Sequence, residues 1–550
     1  MTTLLFFASI LVFAVAYLTY GRLFLQRALG VDFGRATPSH EQYDGIDYVP
    51  TKAPVLLGHH FSSIAGAGPI VGPIIAAAAF GWIPALIWIL VGSIFIGGVH
   101  DFTSIMASIR HRARSIAEIA SLYMSPVSYR LFLIFIWLTL SYVLVVFLDL
   151  TSVTFTASGG VASSSILYIF LALLFGMSIY RWKLSLLKGS LIFVPLVFIG
   201  IWLGQHIPLT LTFMGGDAGM GWDFILLLYC FIASVTPVWI LLQPRDYLAS
   251  YLLYAAVLVG FLGILFGGLP AQYPGFVTWN APHLGPLFPI LFITVACGAV
   301  SGFHSIVASG TTAKQLNVER DALTIGYGGM LLEGVVAVIA LVTVLIVPLG
   351  KAGGAPPQVF AQGIGRFFEV LHMPASLGVQ FGLLAISTFL LTTLDTCTRL
   401  CRYVFQEFFA MKNEWGRFVA TFASLIIPAA LVLVTFKDPV TGQAIPAWKA
   451  VWPVFGATNQ LLAALALMVV TVWLQALGKR VWFVMVPMVF MMVMTAWSLV
   501  ILVSQPATSE IVRWVAAFLL LLAVVLAFEA LRTFILRRRA SGRQALETVK

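Results

Sequence analysis

The chain has 550 residues, of which 60% are hydrophobic and only 9% are charged. A soluble globular protein carries about 45–50% apolar and about 25% charged residues, so this composition excludes a water-facing surface over most of the chain. The mean hydropathy of +1.00 indicates a membrane protein. The net charge of +10 does not point to nucleic acid, because basic residues in a membrane protein mainly mark its cytoplasmic side.

Apolar runs long enough to cross a bilayer recur along the whole chain. About 20 apolar residues span the hydrocarbon core as a helix, and the short alternating strands typical of a membrane barrel are missing from the sequence. The sequence therefore predicts an all-α polytopic membrane fold. We place about fifteen transmembrane helices at residues 2–20, 54–80, 81–109, 128–156, 163–180, 186–204, 222–242, 250–268, 287–310, 324–348, 376–395, 415–436, 457–476, 482–503 and 512–536.

The basic residues orient these spans. Arg22 and Arg27 follow the first span instead of preceding it, so we expect a retained helix and not a cleaved signal peptide. Of the 31 lysines and arginines, all but five lie in or beside the odd-numbered connections, and the five exceptions are Lys351, Arg366, Lys437, Lys449 and Arg513. The positive-inside rule then predicts that the N-terminus lies outside and the C-terminus in the cytoplasm.

The span at 54–80 contains a cluster of glycines and prolines that opposes an unbroken helix. Relative to Ala, an interior Gly costs about 1 kcal/mol and an interior Pro about 3 kcal/mol. The cluster comprises Gly66, Gly68, Pro69, Gly72 and Pro73. In hydrocarbon, the freed backbone groups must be satisfied by protein or by a water-filled cavity, so we expect a break inside the bundle, with a simple kink as the alternative.

We expect a second interruption in the span at 222–242, where Pro237 lies 168 residues after Pro69. Five spans separate the two sites, and an odd number of helices per repeat inverts the second copy. This spacing predicts a LeuT-like 5+5 inverted-repeat core with one extra N-terminal helix and four extra C-terminal helices. The predicted regions are 1–53 (N-terminal helix and cytoplasmic loop), 54–204 (first repeat), 222–395 (second, inverted repeat), 415–536 (C-terminal four-helix region) and 537–550 (basic cytoplasmic tail).

Ionisable side chains inside a membrane are costly, so each one is a candidate functional residue. We expect no Lys or Arg deep in a span, and acids with imidazoles alone suit groups that take up and release protons. Asp149 also lies within a span, and Asp395 is expected to pair with Arg399 one turn away. A structural hydrogen bond is the alternative for each residue. The proton-coupling candidates are His59, His60, His100, Asp101, His304 and Glu333.

The half-helix that starts after the first break would present free backbone N–H groups and a positive dipole end. A small carboxylate fits such a site better than a cation does. We expect no metal and no cofactor, although histidines and Asp101 assembled across helices are a less favoured metal site. The four cysteines are expected to be packing residues. The candidate substrate-binding residues are His59, His60, Ser62, Ser63, Gly66, Gly68, Thr236, Ser301, His304 and Ser305.

Several long motifs closely resemble the carbon starvation protein A (CstA) family from about residue 30 to about residue 480. They are DGIDYVPTKAPVLLGHHFSSIAGAGPIVGP, PVWILLQPRDYL, LFITVACGAVSGFHSIVASGTT, IGYGGMLLEG, DTCTR and WPVFGATNQLLAALAL. The resemblance implies an inner-membrane transporter that acts under nutrient limitation and takes up peptides or, with protons, pyruvate. The modest outer connection at 349–375 and the single helix before GHHF favour a small monocarboxylate.

We therefore expect a secondary active transporter, not an enzyme, that imports a small carboxylate such as pyruvate together with protons. Uptake of short peptides is the main alternative. A metal-dependent membrane enzyme and a nutrient sensor acting through the basic tail are weaker alternatives, since no nucleophile and base occur at motif spacing and anionic lipid accounts for the tail. Protons, the small-molecule substrate and membrane lipids are the expected partners, and the oligomeric state is open.

Overall fold

The structure is a computed structural model of the chain. It describes residues 1–547 except 45–47, 124, 212–217, 238–239, 283, 349–353, 412, 414, 438–441 and 506–507. Residues 548–550 lie outside the described residues, as do the side chains of 218, 530, 531 and 533–547, which include most of the predicted basic tail.

Helices dominate the fold. In chain order they are α1 (Thr2–Leu29), α2 (Pro38–Glu41), α3 (Ala53–Ile64), α4 (Gly68–Phe80), α5 (Trp82–Arg110), α6 (Ile116–Tyr123), α7 (Pro126–Ala157), α8 (Gly159–Tyr180), α9 (Leu186–His206), α10 (Ala218–Val235), α11 (Leu242–Gly267), α12 (Leu287–Thr294), α13 (302–315), α14 (Leu323–Leu345), α15 (Pro356–Val370), α16 (Ala375–Phe408), α17 (Gly416–Val432), α18 (Ala447–Ala476), α19 (Trp482–Ser504) and α20 (Glu510–Glu547). Two short antiparallel hairpins join β1 (Asn280–Ala281) to β2 (Gly285–Pro286) and β3 (Phe436–Lys437) to β4 (Ala444–Ile445).

The predicted all-α membrane fold is confirmed. Within the described residues, eleven helices are long and apolar enough to cross a bilayer, and the two halves of the bent pair α3–α4 are so when they are taken together. The total of fifteen transmembrane helices stays a prediction, since α10 and α17 are shorter and α12–α13 is interrupted.

The first break lies where the glycines and prolines predict it. Helices α3 and α4 meet at an angle of 48°, and residues 65–67 between them leave helical geometry. A side-chain carbon at Gly66 would come within 2.6 Å of Thr393 Oγ1, and one at Gly68 within 2.5 Å of Cys297 Sγ. These glycines therefore let neighbouring helices approach the break closely.

The second break is not at Pro237. Helix α10 ends at Val235 and α11 begins at Leu242, so this proline lies between two helices and not inside one. The expectation was wrong because a proline also serves to end a helix, as it does here. The interruption falls in the ninth span instead, where residues 295–301 separate α12 from α13.

The two interrupted spans pack against each other in opposite directions. His60 Nδ1 lies 2.8 Å from Thr312 Oγ1, whereas Gly68 contacts Cys297 and Gly72 contacts the carbonyl of Thr294. As the residue number rises along the first span, the number of the residue that it contacts in the ninth span falls. The two spans are therefore antiparallel. A second repeat that opens with an interrupted helix would thus begin near residue 287 and not at 222. The division into 54–204 and 222–395 has no direct test and stays a prediction.

Long helices surround this pair. Helix α7 packs on α16 and α18, α14 packs on α4, and α8 and α9 form a hairpin. The most apolar stretch of α18 is entirely buried, as expected for a helix that is hydrophobic on all sides. In contrast, only about a third or fewer of the residues in the most apolar stretches of α1, α9, α19 and α20 are buried, which suits helices that face lipid.

The segment between α1 and α3 connects the two interrupted spans at one end, through contacts of Ser39 and Thr51. Ser39 Oγ donates to the carbonyl of Leu316 at 2.7 Å, and the Thr51 amide donates to the carbonyl of Gln315 at 3.0 Å. The start of α3 is thereby fixed to the end of α13. By the distribution of basic residues, this is the predicted cytoplasmic end.

Replacing Gly302 with Ala should destabilise the fold. The added carbon would lie 2.4 Å from the carbonyl oxygen of Asn459 and 2.5 Å from the amide nitrogen of Ala463, and backbone atoms cannot move aside easily. Overpacking of this kind costs about 1–3 kcal/mol. Thermal unfolding of the purified protein in detergent should therefore show a lower midpoint for Gly302→Ala.

The matched control is Gly310→Ala in the same span. A side-chain carbon there would meet only Leu400 at 3.7 Å, which is ordinary van der Waals contact. Equal melting temperatures for the two variants would contradict the packing described here.

Candidate functional site

The site lies where the two interrupted spans meet. Helix α4 begins at Gly68 and α13 at Gly302. The first amides of each of these half-helices therefore have no hydrogen-bond partner within the helix. Among the hydrogen bonds of the described residues, none uses the amides of Ala67, Gly68 or Gly302. Free N–H groups at a helix start favour a negatively charged group.

Helix α18 supplies hydrogen bonds to the second break. Asn459 Oδ1 accepts from the amide of Phe303 at 3.0 Å and from Ser301 Oγ at 3.2 Å. Gln460 Nε2 donates to the carbonyls of Phe292 and Val300, both at 3.1 Å. Because unpaired backbone groups are costly in an apolar interior, these two side chains stabilise the unwound segment.

Asn459 and Gln460 were missed as site residues by the sequence reasoning, although they lie in the WPVFGATNQ motif. The available signal was polarity: two adjacent carboxamides inside the apolar run of a buried span are candidates for function by their position alone.

Two carboxylates and a histidine form a buried chain beside the second break. His304 of α13 places its Nδ1 2.9 Å from Asp101 Oδ2 on α5 and its Nε2 3.2 Å from Glu333 Oε2 on α14. His100 Nδ1 lies 2.8 Å from the other oxygen, Oδ1, of Asp101. All four side chains are 0% exposed.

This Asp101–His304–Glu333 chain holds its charge without a permanent cation. Among the hydrogen bonds and ion pairs of the described residues, none joins Asp101 or Glu333 to a lysine or an arginine. A buried, uncompensated carboxylate is strongly unfavourable. The positive charge that compensates these acids must therefore come from a protonated imidazole, or the acids themselves must carry a proton.

The predicted residues other than His59 and Thr236 fall into two groups. His60, His100, Asp101, His304 and Glu333 come together across four helices, as the contacts above show. Another set lines the breaks or the turns beside them, and it comprises Gly66, Gly68, Ser62, Ser63, Ser301 and Ser305.

The serines near the breaks donate mainly to their own helices. Ser62 Oγ and Ser63 Oγ donate to the carbonyl of His59 at 3.1 and 2.8 Å, and Ser305 Oγ donates to the carbonyl of Gly302 at 2.7 Å. Their hydroxyl protons are therefore engaged, which weakens the expectation that they donate to a ligand.

His59 and Thr236 lie apart from this chain. His59 is half-buried, and its charged neighbour is Asp246 of α11. Thr236 follows the end of α10, where its hydroxyl donates to the carbonyl of Ile232 at 2.7 Å. Among the described contacts, none brings Thr236 to either break.

A second buried charge cluster contains Arg245, one of the basic residues that the sequence places in or beside an odd-numbered connection. Arg245 is 0% exposed and donates to Asp395, to Asp246 at 2.9 Å and to the Tyr229 hydroxyl at 2.9 Å. The expectation of no deep Arg was therefore wrong, because Arg245 follows a proline-rich turn that resembles a loop and yet lies within the bundle.

The expected pair of Asp395 with Arg399 is also wrong. Asp395 binds Arg245, and Arg399 Nη2 instead donates to the carbonyls of Ala233 and Thr236 at 2.8 and 2.7 Å. Arg399 thus satisfies carbonyls at the end of α10, which a helix leaves unpaired.

Asp149 has a similar role at the start of a helix. Its Oδ2 accepts from the amide of Trp448 at 2.6 Å, in the first turn of α18. A carboxylate is stabilising at this position because it pairs with an unbonded amide and with the positive end of the helix dipole. This contact is structural and does not extend to the breaks.

The sequence of the chain matches a known family. A family model described as carbon starvation protein CstA matches residues 1–353 and 348–498, which is most of the chain. The chain belongs to the carbon starvation protein CstA family. The resemblance expected from the motifs is thereby confirmed, and the chain is a membrane transporter of this family.

Curated members of the family cover most of the chain. It is 31% identical to the peptide transporter CstA of Escherichia coli strain K12, over 89% of this chain and 79% of that protein. It is also 31% identical to the pyruvate/proton symporter BtsT of the same organism, over 90% of this chain and 80% of that protein. The peptide transporter CstA of Helicobacter pylori strain J99 is 32% identical, over 86% and 77%.

Solved structures of transporters give weaker matches. A mutant of the manganese transporter of Eremococcus coleocola matches at TM-score 0.45 and 13% identity, over 90% of this chain and 99% of that chain. MhsT in complex with L-phenylalanine matches at TM-score 0.45 and 14% identity, over 88% and 99%.

Replacing Asn459 with Leu should destabilise the second break. The variant keeps the branched shape but removes the acceptor of the Phe303 amide and the partner of Ser301, and an unpaired buried donor costs about 1–3 kcal/mol. Thermal unfolding in detergent should show a clearly lower midpoint for Asn459→Leu, and transport should fall with it.

Thr471→Val is the matched control on the same helix, since the Thr471 hydroxyl donates to the carbonyl of Leu467 in its own helix at 2.8 Å and does not reach the break. It should lose less stability than Asn459→Leu. If both variants melt like the wild type, the carboxamide does not hold the break.

Proposed function

We propose that this protein is a secondary active transporter that imports a small carboxylate such as pyruvate together with protons across the inner membrane. The observation that carries the proposal is the buried Asp101–His304–Glu333 chain, which has no lysine or arginine partner among the described contacts. Such a chain changes charge only by gaining or losing protons, so its charge is linked to the proton gradient.

The proposed substrate site is the space between the two breaks. Support comes from the unbonded amides at Gly68 and Gly302 and from the position of His304, two residues after the start of α13. A carboxylate bound at these amides lies beside the proton-binding chain. Its negative charge would favour protonation of that chain, since opposite charges stabilise each other strongly in an apolar interior.

This arrangement explains coupling in physical terms. A carboxylate alone would add a further negative charge to a site that already holds two acids. When a proton binds with it, the added charge is neutral and the cost of burial falls. Coupled entry of substrate and proton is therefore favoured over entry of either one.

The relatives support both substrate classes. One relative is named a pyruvate/proton symporter, and others are named peptide transporters. A peptide is the alternative substrate, because its ammonium group would pair with Asp101 or Glu333 while its carboxylate faces the helix starts. Pyruvate has no such cation, so competition by dipeptides against labelled pyruvate distinguishes the two.

Substituting the acids of the chain should uncouple transport. In proteoliposomes with an imposed inward proton gradient, wild-type protein should accumulate labelled pyruvate, and a protonophore should abolish the accumulation. Asp101→Asn and Glu333→Gln should each lower accumulation about tenfold or more, within the range of coupling free energies between two sites.

The control is Glu369→Gln, because Glu369 is exposed and its ion pair among the described residues is with Arg366 one turn away, at 3.2 Å. It should accumulate pyruvate like the wild type. Wild-type uptake that ignores the proton gradient would contradict the proposal, as would full accumulation by Glu333→Gln.

The predicted orientation can be tested with single cysteines, because the four native cysteines are buried. Lys183 lies between α8 and α9 and Lys437 in β3, and both are exposed. In intact cells, a membrane-impermeant maleimide should label Lys437→Cys at once and Lys183→Cys only after permeabilisation. The reverse pattern would contradict an outer N-terminus and a cytoplasmic C-terminus.

A further inference from the structure

A group of basic residues lies where the end of α1 meets the start of α19. Lys479 lies just before α19, and its Nζ donates to the carbonyl of Leu29, the last residue of α1. Arg110 Nη2 donates to the next carbonyl, that of Gly30, at 3.1 Å. A side-chain carbon at Gly30 would lie 3.0 Å from Lys479 Nζ. Two cations are therefore held at neighbouring carbonyls.

The carboxylates nearby already have partners. Glu319 is buried and accepts from Arg110 Nε at 3.1 Å and from the amide of Asp32 at 3.0 Å. Asp32 Oδ1 in turn accepts from the amide of Gly34 at 2.9 Å. Among the ion pairs of the described residues, none includes Lys479. Its ammonium group thus has no carboxylate of its own.

Like charges destabilise the charged form of Lys479. Burial lowers the pKa of Lys479, and the charge of Arg110 lowers it further. Glu319 raises this pKa, and Arg35 lowers it again. Arg480 follows Lys479 directly and is exposed. Four cations and two acids give this cationic cluster a net charge of +2, and its members are Arg35, Arg110, Lys479, Arg480, Asp32 and Glu319.

The positive-inside rule alone does not explain this arrangement. That rule counts the Lys and Arg residues of a loop and does not require them to lie close together. Cations that raise one another's energy call for a compensating negative charge. The cluster therefore has the charge of a binding site for an anion.

The cationic cluster lies at a lipid-facing surface, at the level where the apolar spans end. Trp482, one turn after Lys479, is exposed, and its ring centroid is 5.5 Å from that of Phe24 on α1. Exposed tryptophan at the end of a span is typical of the level of the lipid headgroups. Leu23 of α1 and Val486 of α19 lie further into the spans and are also exposed.

We propose that the cationic cluster binds the headgroup of an anionic phospholipid, with the phosphate at Lys479 and the acyl chains along the exposed surfaces of α1 and α19. Phosphate oxygens accept charge-assisted hydrogen bonds from Lys and Arg, and basic pockets between transmembrane helices suit anionic headgroups. The site is separate from the two breaks and does not depend on the proposed function.

Two properties of the cationic cluster favour an anionic lipid over other phosphates. The bilayer itself supplies lipid phosphates at the level of Trp482, whereas a free phosphate must come from solution. A zwitterionic lipid also has a phosphate, but its own cation balances that charge. The net charge of the cluster therefore selects lipids with a net negative charge.

The test is lipid binding by the full-length protein in detergent, measured by native mass spectrometry. The probe is phosphatidylglycerol, and the comparison is phosphatidylcholine with the same acyl chains. Wild-type protein should retain phosphatidylglycerol in clear excess. Lys479→Gln and Arg35→Gln should each lower the affinity for phosphatidylglycerol about fivefold, because each removes one cation at the membrane surface.

The two variants differ in their risk to the fold. Gln at position 479 can still donate to the Leu29 carbonyl, and Arg35 is exposed, so its replacement leaves the packing intact. Lys183→Gln is the matched control, since Lys183 is an exposed cation in another connection, between α8 and α9. It should bind phosphatidylglycerol like the wild type.

Inorganic phosphate distinguishes the lipid from a free anion. Phosphatidylglycerol should raise the midpoint of thermal unfolding of the wild type, and inorganic phosphate at the same concentration should not. Equal retention of the two lipids by the wild type would overturn the proposal. An equal loss of affinity in Lys183→Gln, or an equal rise of the midpoint with inorganic phosphate, would overturn it too.

Discussion

The backbone that leaves helical geometry at 65–67 and 295–301 must find its hydrogen bonds inside the protein, because the bilayer offers none. The second stretch obtains them from Asn459 and Gln460 of α18. The amides at Gly68 and Gly302 stay unbonded within the described contacts. Side chains of α18 thus stabilise the second break, and the unbonded amides at the starts of α4 and α13 are where we propose that a carboxylate binds.

Charge is arranged around these breaks in two separate ways. The Arg245 cluster has a permanent cation, and it joins α11 to α16 through Asp395, so it acts as a fixed structural contact. The Asp101–His304–Glu333 chain has only groups that titrate. A proton can therefore change the charge of the Asp101–His304–Glu333 chain and leave the Arg245 cluster unchanged. In the proposed mechanism, coupling is therefore localised at this chain.

Sequence reasoning succeeded for the features that depend on which residue types occur within a span. The glycines and prolines at 66–73 predicted the first break, and rare acids and histidines in apolar spans predicted Asp101, His304 and Glu333. Sequence reasoning failed where a contact with a residue that is distant in the sequence determines the local structure. Pro237 ends a helix, whereas residues 295–301 unwind without a proline because Asn459 and Gln460 bind them. Likewise, Arg245 resembles a loop residue in the sequence, and its burial follows from its ion pair with Asp395, which only the structure shows.

In the proposed mechanism, Glu333 and its neighbours carry a proton with each substrate molecule. The most direct measurement is the pH of a weakly buffered suspension of proteoliposomes when pyruvate is added without an imposed gradient. We expect the outside solution to become alkaline as wild-type protein takes up pyruvate, and Glu333→Gln to give no such change. Pyruvate entry by the wild type without any movement of protons would contradict the mechanism.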